Sequence, residues 1–131
     1  MIGLDTNVLL RLFIEDDREQ CERARSFVED AARSGPCMVN VIVLAEFVWA
    51  LARKLGKPKA EVIRYLGGVL QSDDLEIERR SAAVAALEAY RSGPADFADY
   101  LLGQINLELG CTTTSSFDGK ALKSNLFSSV P

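Results

Sequence analysis

The sequence predicts an α/β fold in which a parallel sheet is covered by helices on both faces. Short apolar segments alternate with longer helical segments along the 131 residues, which is the pattern of a parallel sheet. The chain contains 48% hydrophobic residues and shows no internal repeat or linker. A chain of this length buries one core, so we expect a single domain over residues 1–131.

In the first half of the chain, residues that favour helix starts and stops set the predicted boundaries. Asp5, Thr6 and Asn7 are all common at helix N-termini, and Asn40 is placed to cap a later helix that Gly56 stops. The predicted elements are strand Met1–Leu4, helix Val8–Phe13, helix Arg18–Arg33, strand Cys37–Val39, helix Val41–Leu55 and helix Pro58–Leu70.

In the second half, glycine and proline separate the elements. Gly93 and Pro94 end one helix, and Gly110 ends the next. The predicted elements are strand Leu75–Glu78, helix Arg80–Ser92, helix Asp96–Leu109, strand Cys111–Thr114, short helix Asp118–Lys123 and edge strand Leu126–Val130.

The composition excludes several classes of function. The chain has no histidine, which removes the Ser-His-Asp and Cys-His schemes and the usual zinc sites. Its three cysteines form no CxxC pair, and we expect them to be reduced core residues. A net charge of −4 argues against a protein that coats nucleic acid. With neither a run of 18 apolar residues nor a basic leader, we expect a cytoplasmic protein that does not insert in membranes.

Glu46 is the only charge in the segment Val41–Ala52, VIVLAEFVWALA, which we interpret as a buried helix. An isolated buried carboxylate costs several kcal/mol, so something should oppose its charge. We expect a metal ion held by several carboxylates, and the alternative is an ion pair with a distant arginine such as Arg11.

Three further acids lie where a ligand of a parallel sheet would bind. Asp5 and Asp118 each follow a predicted strand, and Asp99 lies in the first turn of its helix. Each has a simpler interpretation: Asp5 can cap a helix, Asp99 can reach back to an N-cap at Asp96, and Asp118 can form a turn. Together with Glu46 they could bind Mg²⁺ or Mn²⁺, which prefer oxygen ligands.

Four segments, in this order, resemble the PIN-domain family, and most closely the VapC-type toxin ribonucleases of bacterial toxin–antitoxin pairs. They are MIGLDTNVLLRL, NVIVLAEFVWAL, ADFADYLLGQINLELGC and TTTSSFDGKAL. The resemblance implies a three-layer α/β/α fold with a central parallel sheet of about five strands flanked by helices. It matches Asp5, Glu46, Asp99 and Asp118 to the family's catalytic, metal-binding acids.

The resemblance also assigns supporting positions around these acids. Thr6 and Asn7 match polar residues beside the first acid, Asn40 the polar residue that opens the Glu46 helix, and Ser116 the partner of the last acid. Asp96 is an additional acid beside Asp99, and we favour Asp99 as the ligand because Asp96 fits the N-cap.

The implied function is an Mg²⁺- or Mn²⁺-dependent endoribonuclease that cleaves RNA phosphodiester bonds, with a VapB-like antitoxin as partner and a toxin homodimer. Arg11, Arg53 and Lys54 are guesses for RNA contacts, although a solvated helix end is slightly the stronger interpretation of the basic stretch that includes Arg53 and Lys54. Two rival functions stay open: an Asp-nucleophile phosphatase-like hydrolase, and a catalytically inactive PIN-fold binding module.

Overall fold

The structure, a computed structural model, describes all residues 1–131. The chain forms two compact units, Met1–Glu78 and Arg79–Pro131. The first unit contains α1 Thr6–Phe13, α2 Arg18–Ala32, β1 Cys37–Val39, α3 Val41–Trp49, a π-helix Ala50–Lys54, α4 Lys59–Gln71 and β2 Leu75–Ile77. The second contains α5 Arg80–Ser92, α6 Phe97–Glu108, β3 Thr114–Ser116, a 3₁₀ turn Ala121–Lys123 and β4 Phe127–Ser129.

The sheet of the first unit is parallel. Strand β1 pairs with β2 so that Cys37 lies opposite Leu75. The N-terminal segment adds a parallel bridge between Gly3 and Met38, in which the Leu4 N–H donates to the Met38 carbonyl at 2.9 Å. Asp5 therefore directly follows an extended segment, as the sequence predicts.

The sheet of the second unit is also parallel, with Thr114 of β3 opposite Phe127 of β4. Helices α5 and α6 pack on each other, and the rings of Tyr90 and Phe97 meet edge to face with centroids 6.1 Å apart. The side-chain amide of Asn106 donates to Thr114 Oγ1 at 2.8 Å, which ties α6 to the start of β3.

The predicted α/β fold with parallel strands is confirmed, with the strands being few and short. The extended segments number five when the bridging N-terminal segment is counted with the four strands. The predicted strand Cys111–Thr114 is wrong, since Cys111–Thr113 form a loop after Gly110 (φ 95°) and the strand begins only at Thr114. The predicted helix Asp118–Lys123 shortens to a 3₁₀ turn.

Helix α3 corrects the prediction for Glu46. Val43, Leu44, Phe47 and Val48 are buried on one face, but Glu46 is exposed, so the expected burial penalty does not arise. Two apolar side chains flank it in the open, Ile42 at 66% exposure and Trp49 at 60%. The helix then continues as a π-helix and ends before Gly56, whose φ of 64° needs a glycine.

The three free cysteines differ in environment. Cys21 and Cys37 are buried, as expected, whereas Cys111 is exposed in the loop after α6, so the prediction that it is a core residue is wrong. No helix combines the length and the apolar character that crossing a bilayer requires.

Candidate active site

The first acid, Asp5, is the N-cap of α1. Its backbone is extended, and its Oδ1 accepts a hydrogen bond from the Val8 N–H at 3.0 Å. This bond satisfies one of the N–H groups that a helix start leaves without a partner. The capping interpretation is therefore confirmed, and the exposed side chain keeps its second oxygen available for another ligand.

The second acid, Glu46, is joined to the start of α1. The Thr6 hydroxyl donates to Glu46 Oε1 at 3.1 Å, across a sequence separation of 40 residues. Because Thr6 directly follows Asp5, this bond brings Glu46 to the end of α1 at which Asp5 lies. The suggested ion pair between Glu46 and Arg11 is not formed, since Arg11 pairs with Asp16 instead.

The start of α3 is fixed from two sides. Asn40 Oδ1 accepts from the Val43 N–H at 2.9 Å, which confirms the predicted cap. Glu78, just after β2, accepts from the Val41 N–H at 2.9 Å. The sequence does not single out Glu78 for this role, because its partner is 37 residues away and no local pattern connects the two.

In the second unit, Asp96 and Asp99 form a capping box at the start of α6. Asp99 Oδ2 accepts from the Asp96 N–H at 3.3 Å. Burial raises the pKa of the half-buried Asp99 carboxyl, the Asp96 N–H lowers it, and the negative charges of Asp118 and Asp96 raise it further. The net pKa is above the ordinary 3.8, so Asp118 is close enough for its charge to disfavour ionisation of Asp99.

Asp118 is held in a turn after β3. Its N–H donates to Ser116 Oγ at 2.9 Å, and its Oδ1 accepts from the Lys120 N–H at 3.0 Å. The turn interpretation is confirmed, and Ser116 is its polar partner as the resemblance implies. The exposed carboxylate keeps one oxygen outside this turn.

The three basic side chains that we guessed to contact RNA have different surroundings. The guanidinium of Arg11 pairs with Asp16, and its Nε donates to Gln20 Oε1 at 2.8 Å. Arg11 and Lys54 line one hollow of about 70 Å³ together with Asn7. Arg53 is exposed near the end of the π-helix.

The donor set suits a hard divalent cation, because the four acids offer carboxylate oxygens and the chain has no histidine. The mutual repulsion at Asp99 is the kind of charge excess that a cation relieves. No group of three or more acidic or cysteine side chains is gathered closely enough to hold a metal ion. The predicted acids are instead associated in twos: Glu46 meets the α1 end beside Asp5, and Asp118 acts on Asp99.

The chain matches the model of one known protein family over most of its length. The family model described as PIN domain matches residues 2–123, which include all four acids. The chain belongs to the PIN-domain family, whose members are in general metal-dependent nucleases. No curated protein matches the sequence.

Proposed function

We propose that the protein is an Mg²⁺- or Mn²⁺-dependent endoribonuclease of the VapC type, the toxin of a type II toxin–antitoxin pair. The observation that carries the proposal is the association of the predicted acids in twos, in a chain whose PIN match spans them all. The same match supports one PIN domain over residues 1–131.

In this proposal Asp5, Glu46, Asp99 and Asp118 are the metal-binding acids, as the resemblance implies. Bound there, a divalent ion would activate a water molecule and stabilise the charge that develops on the phosphodiester. Each ligand is positioned by its own neighbours, since Thr6 holds Glu46 and Ser116 holds the Asp118 turn. Asp96 caps α6 and leaves the ligand role to Asp99.

The test is to incubate the purified protein with total RNA and Mn²⁺ and to map the ends produced. We expect 5′-phosphate and 3′-hydroxyl ends that disappear in EDTA and in the Asp5→Asn and Glu46→Gln proteins. Asp73→Asn is a matched control, because this acid is exposed and belongs to no proposed site. Cleavage that survives both active-site substitutions would refute the mechanism.

Two further measurements separate the two rival functions. An Asp-nucleophile phosphatase would form an acyl phosphate at Asp5, which can be trapped chemically. An inactive binding module would leave RNA intact while the melting temperature still rose with Mn²⁺.

The toxin assignment adds a VapB-like antitoxin, a homodimer and a cytoplasmic location to the proposal. Ile42 and Trp49 are exposed apolar side chains beside Glu46, and they are suited to a protein interface. Expression of the chain alone should arrest growth, and co-expression of a short upstream reading frame should relieve the arrest. Growth that continues despite abundant active protein would contradict the toxin role.

A further inference from the structure

A cavity lies between α1 and α2, beside the Asp5 end of α1. Its volume is about 390 Å³, within the range of ligand sites. We name it the α1–α2 groove, and its lining includes Asn7, Arg11, Gln20, Arg23, Ala24 and Phe27. Asn7 and Arg11 also line the smaller hollow that contains Lys54, so the two share a wall.

The charge available in the groove comes from Arg23 and not from Arg11. Arg11 forms an ion pair with Asp16 and a hydrogen bond with Gln20, so its charge is largely neutralised within the protein. The ion pairs of α2 engage Arg18 with Glu22, Arg25 with Glu15 and Arg33 with Asp30, and Arg23 takes part in none of them. An exposed guanidinium of this kind suits an anion such as a phosphate.

The groove also presents an aromatic ring. The side chain of Phe27 lines the groove and is 48% exposed. Arg23 and Phe27 are four residues apart on one helix, so their side chains are neighbours on the same face. A cation beside an accessible ring is the combination with which proteins bind single-stranded nucleic acid, where the ring stacks on a base and the cation meets the backbone.

We infer that the α1–α2 groove binds single-stranded RNA, with Phe27 stacking on a base and Arg23 contacting a backbone phosphate. This inference rests on the proposed function, because it places the groove next to the Asp5 end of the cleavage site. Asn7 lines the groove two residues after Asp5, and in this inference it lies where the RNA enters the cleavage site. Neither Arg23 nor Phe27 is among the site residues predicted from the sequence, although the sequence shows their spacing of four residues on α2.

The test measures RNA binding without cleavage. A labelled oligouridylate is titrated with each protein in EDTA, by fluorescence anisotropy over a series of KCl concentrations. Arg23→Gln should weaken binding about fivefold near 0.1 M salt and reduce the slope of log K against log[salt] by about 0.7, the value for one phosphate contact on a single strand.

Phe27→Leu separates stacking from charge. It should weaken binding about fivefold or more, the lower end for loss of one base–aromatic stack, without changing the salt slope. Phe27→Tyr should bind the RNA as tightly as the parent protein does, because tyrosine keeps the aromatic ring. Arg18→Gln, on the same helix but outside the groove, is the matched charge control and should leave both quantities unchanged.

The inference would be overturned if Arg23→Gln kept the parent affinity and salt slope and Phe27→Leu kept the parent affinity for RNA. This would hold even if the two variants no longer bound a protein partner that uses the groove. An Arg18→Gln effect as large as that of Arg23→Gln would overturn it too, since the attraction would then be general charge. Because binding is measured in EDTA, absence of cleavage by the parent protein would refute the proposed nuclease and leave the groove to be judged on affinity alone.

Discussion

Asp5 offers the sharpest test of the candidate site, because one side chain is both an observed helix cap and a proposed metal ligand. The two roles separate on substitution. Asparagine caps helices about as well as aspartate, so Asp5→Asn keeps the bond to the Val8 N–H and loses only the charge. Asp5→Ala loses both the cap and the charge.

The expected magnitudes follow from the cap and from ligand linkage. Loss of the cap lowers the free energy of unfolding by about 1 kcal/mol. With an unfolding entropy of about 2.1 cal/mol/K per residue, 1 kcal/mol shifts the melting temperature of a chain of 131 residues by about 3–4 °C. Metal-free Asp5→Ala should therefore melt about 4 °C below the parent protein, and Asp5→Asn within about 2 °C of it.

Metal binding gives the second measurement. At a free Mn²⁺ concentration of about 100 Kd, binding to the folded state alone adds about 2.7 kcal/mol. This corresponds to about 10 °C for the parent protein. Both Asp5 variants should lose most of this gain. Melting curves in EDTA and in Mn²⁺ for the three proteins give all of these quantities.

Asp17 provides the matched control. It caps α2 as Asp5 caps α1, accepting from the Gln20 N–H at 3.1 Å, and it is proposed for no metal site. Asp17→Asn should keep the full Mn²⁺ gain. If Asp5→Asn gains as much from Mn²⁺ as the parent, Asp5 is a cap only and the reasoning about the site is wrong.

Three further predictions concern other residues. In Glu46→Gln the side chain can still accept a hydrogen bond from Thr6, so the free energy of unfolding in EDTA should change by less than about 0.5 kcal/mol. RNA cleavage should fall at least about 100-fold, a typical loss when a catalytic electrostatic group is removed. Normal cleavage would exclude Glu46 from the chemistry. The pKa of Asp99 is raised above 3.8, so this carboxyl contributes its full stability below its pKa in the unfolded chain and loses that contribution as pH rises through its pKa in the folded protein. In EDTA, the melting temperature of the parent protein should fall over this pH window, and that of Asp99→Asn should fall less. Equal falls would contradict this prediction. Phe47→Ala, at a fully buried position, should lower the free energy of unfolding by about 3–5 kcal/mol in urea titration, and a loss below about 1 kcal/mol would show that the packing around it is loose.

Local chemistry made much of the fold predictable from the sequence. Helix α5, Arg80–Ser92, and strand β1, Cys37–Val39, lie where the sequence places them. The cap at Asn40 and the capping box at Asp96 also follow from residue types a few positions apart. These features depend on neighbours in the chain, which a single sequence displays.

The errors arose where a distant partner decides the outcome. The segment around Glu46 is apolar on every side, so its composition could not tell which face would be covered, and Ile42 and Trp49 proved to be exposed. Strand β3 begins at Thr114 and not at Cys111, because a strand extends only where another strand, here β4, pairs with it. β-propensity alone does not determine that register.

The amino-acid sequence by itself determined the kinds of ligand that this protein can offer: carboxylates without histidine, placed at helix starts and strand ends, in the order that identifies a PIN domain. Only the tertiary structure decided which groups meet, such as Thr6 with Glu46 and Glu78 with the start of α3. The physical reason is one of range. Caps and turns are satisfied within a few residues, whereas these contacts close loops of about 40 residues and form only when packing brings their ends together.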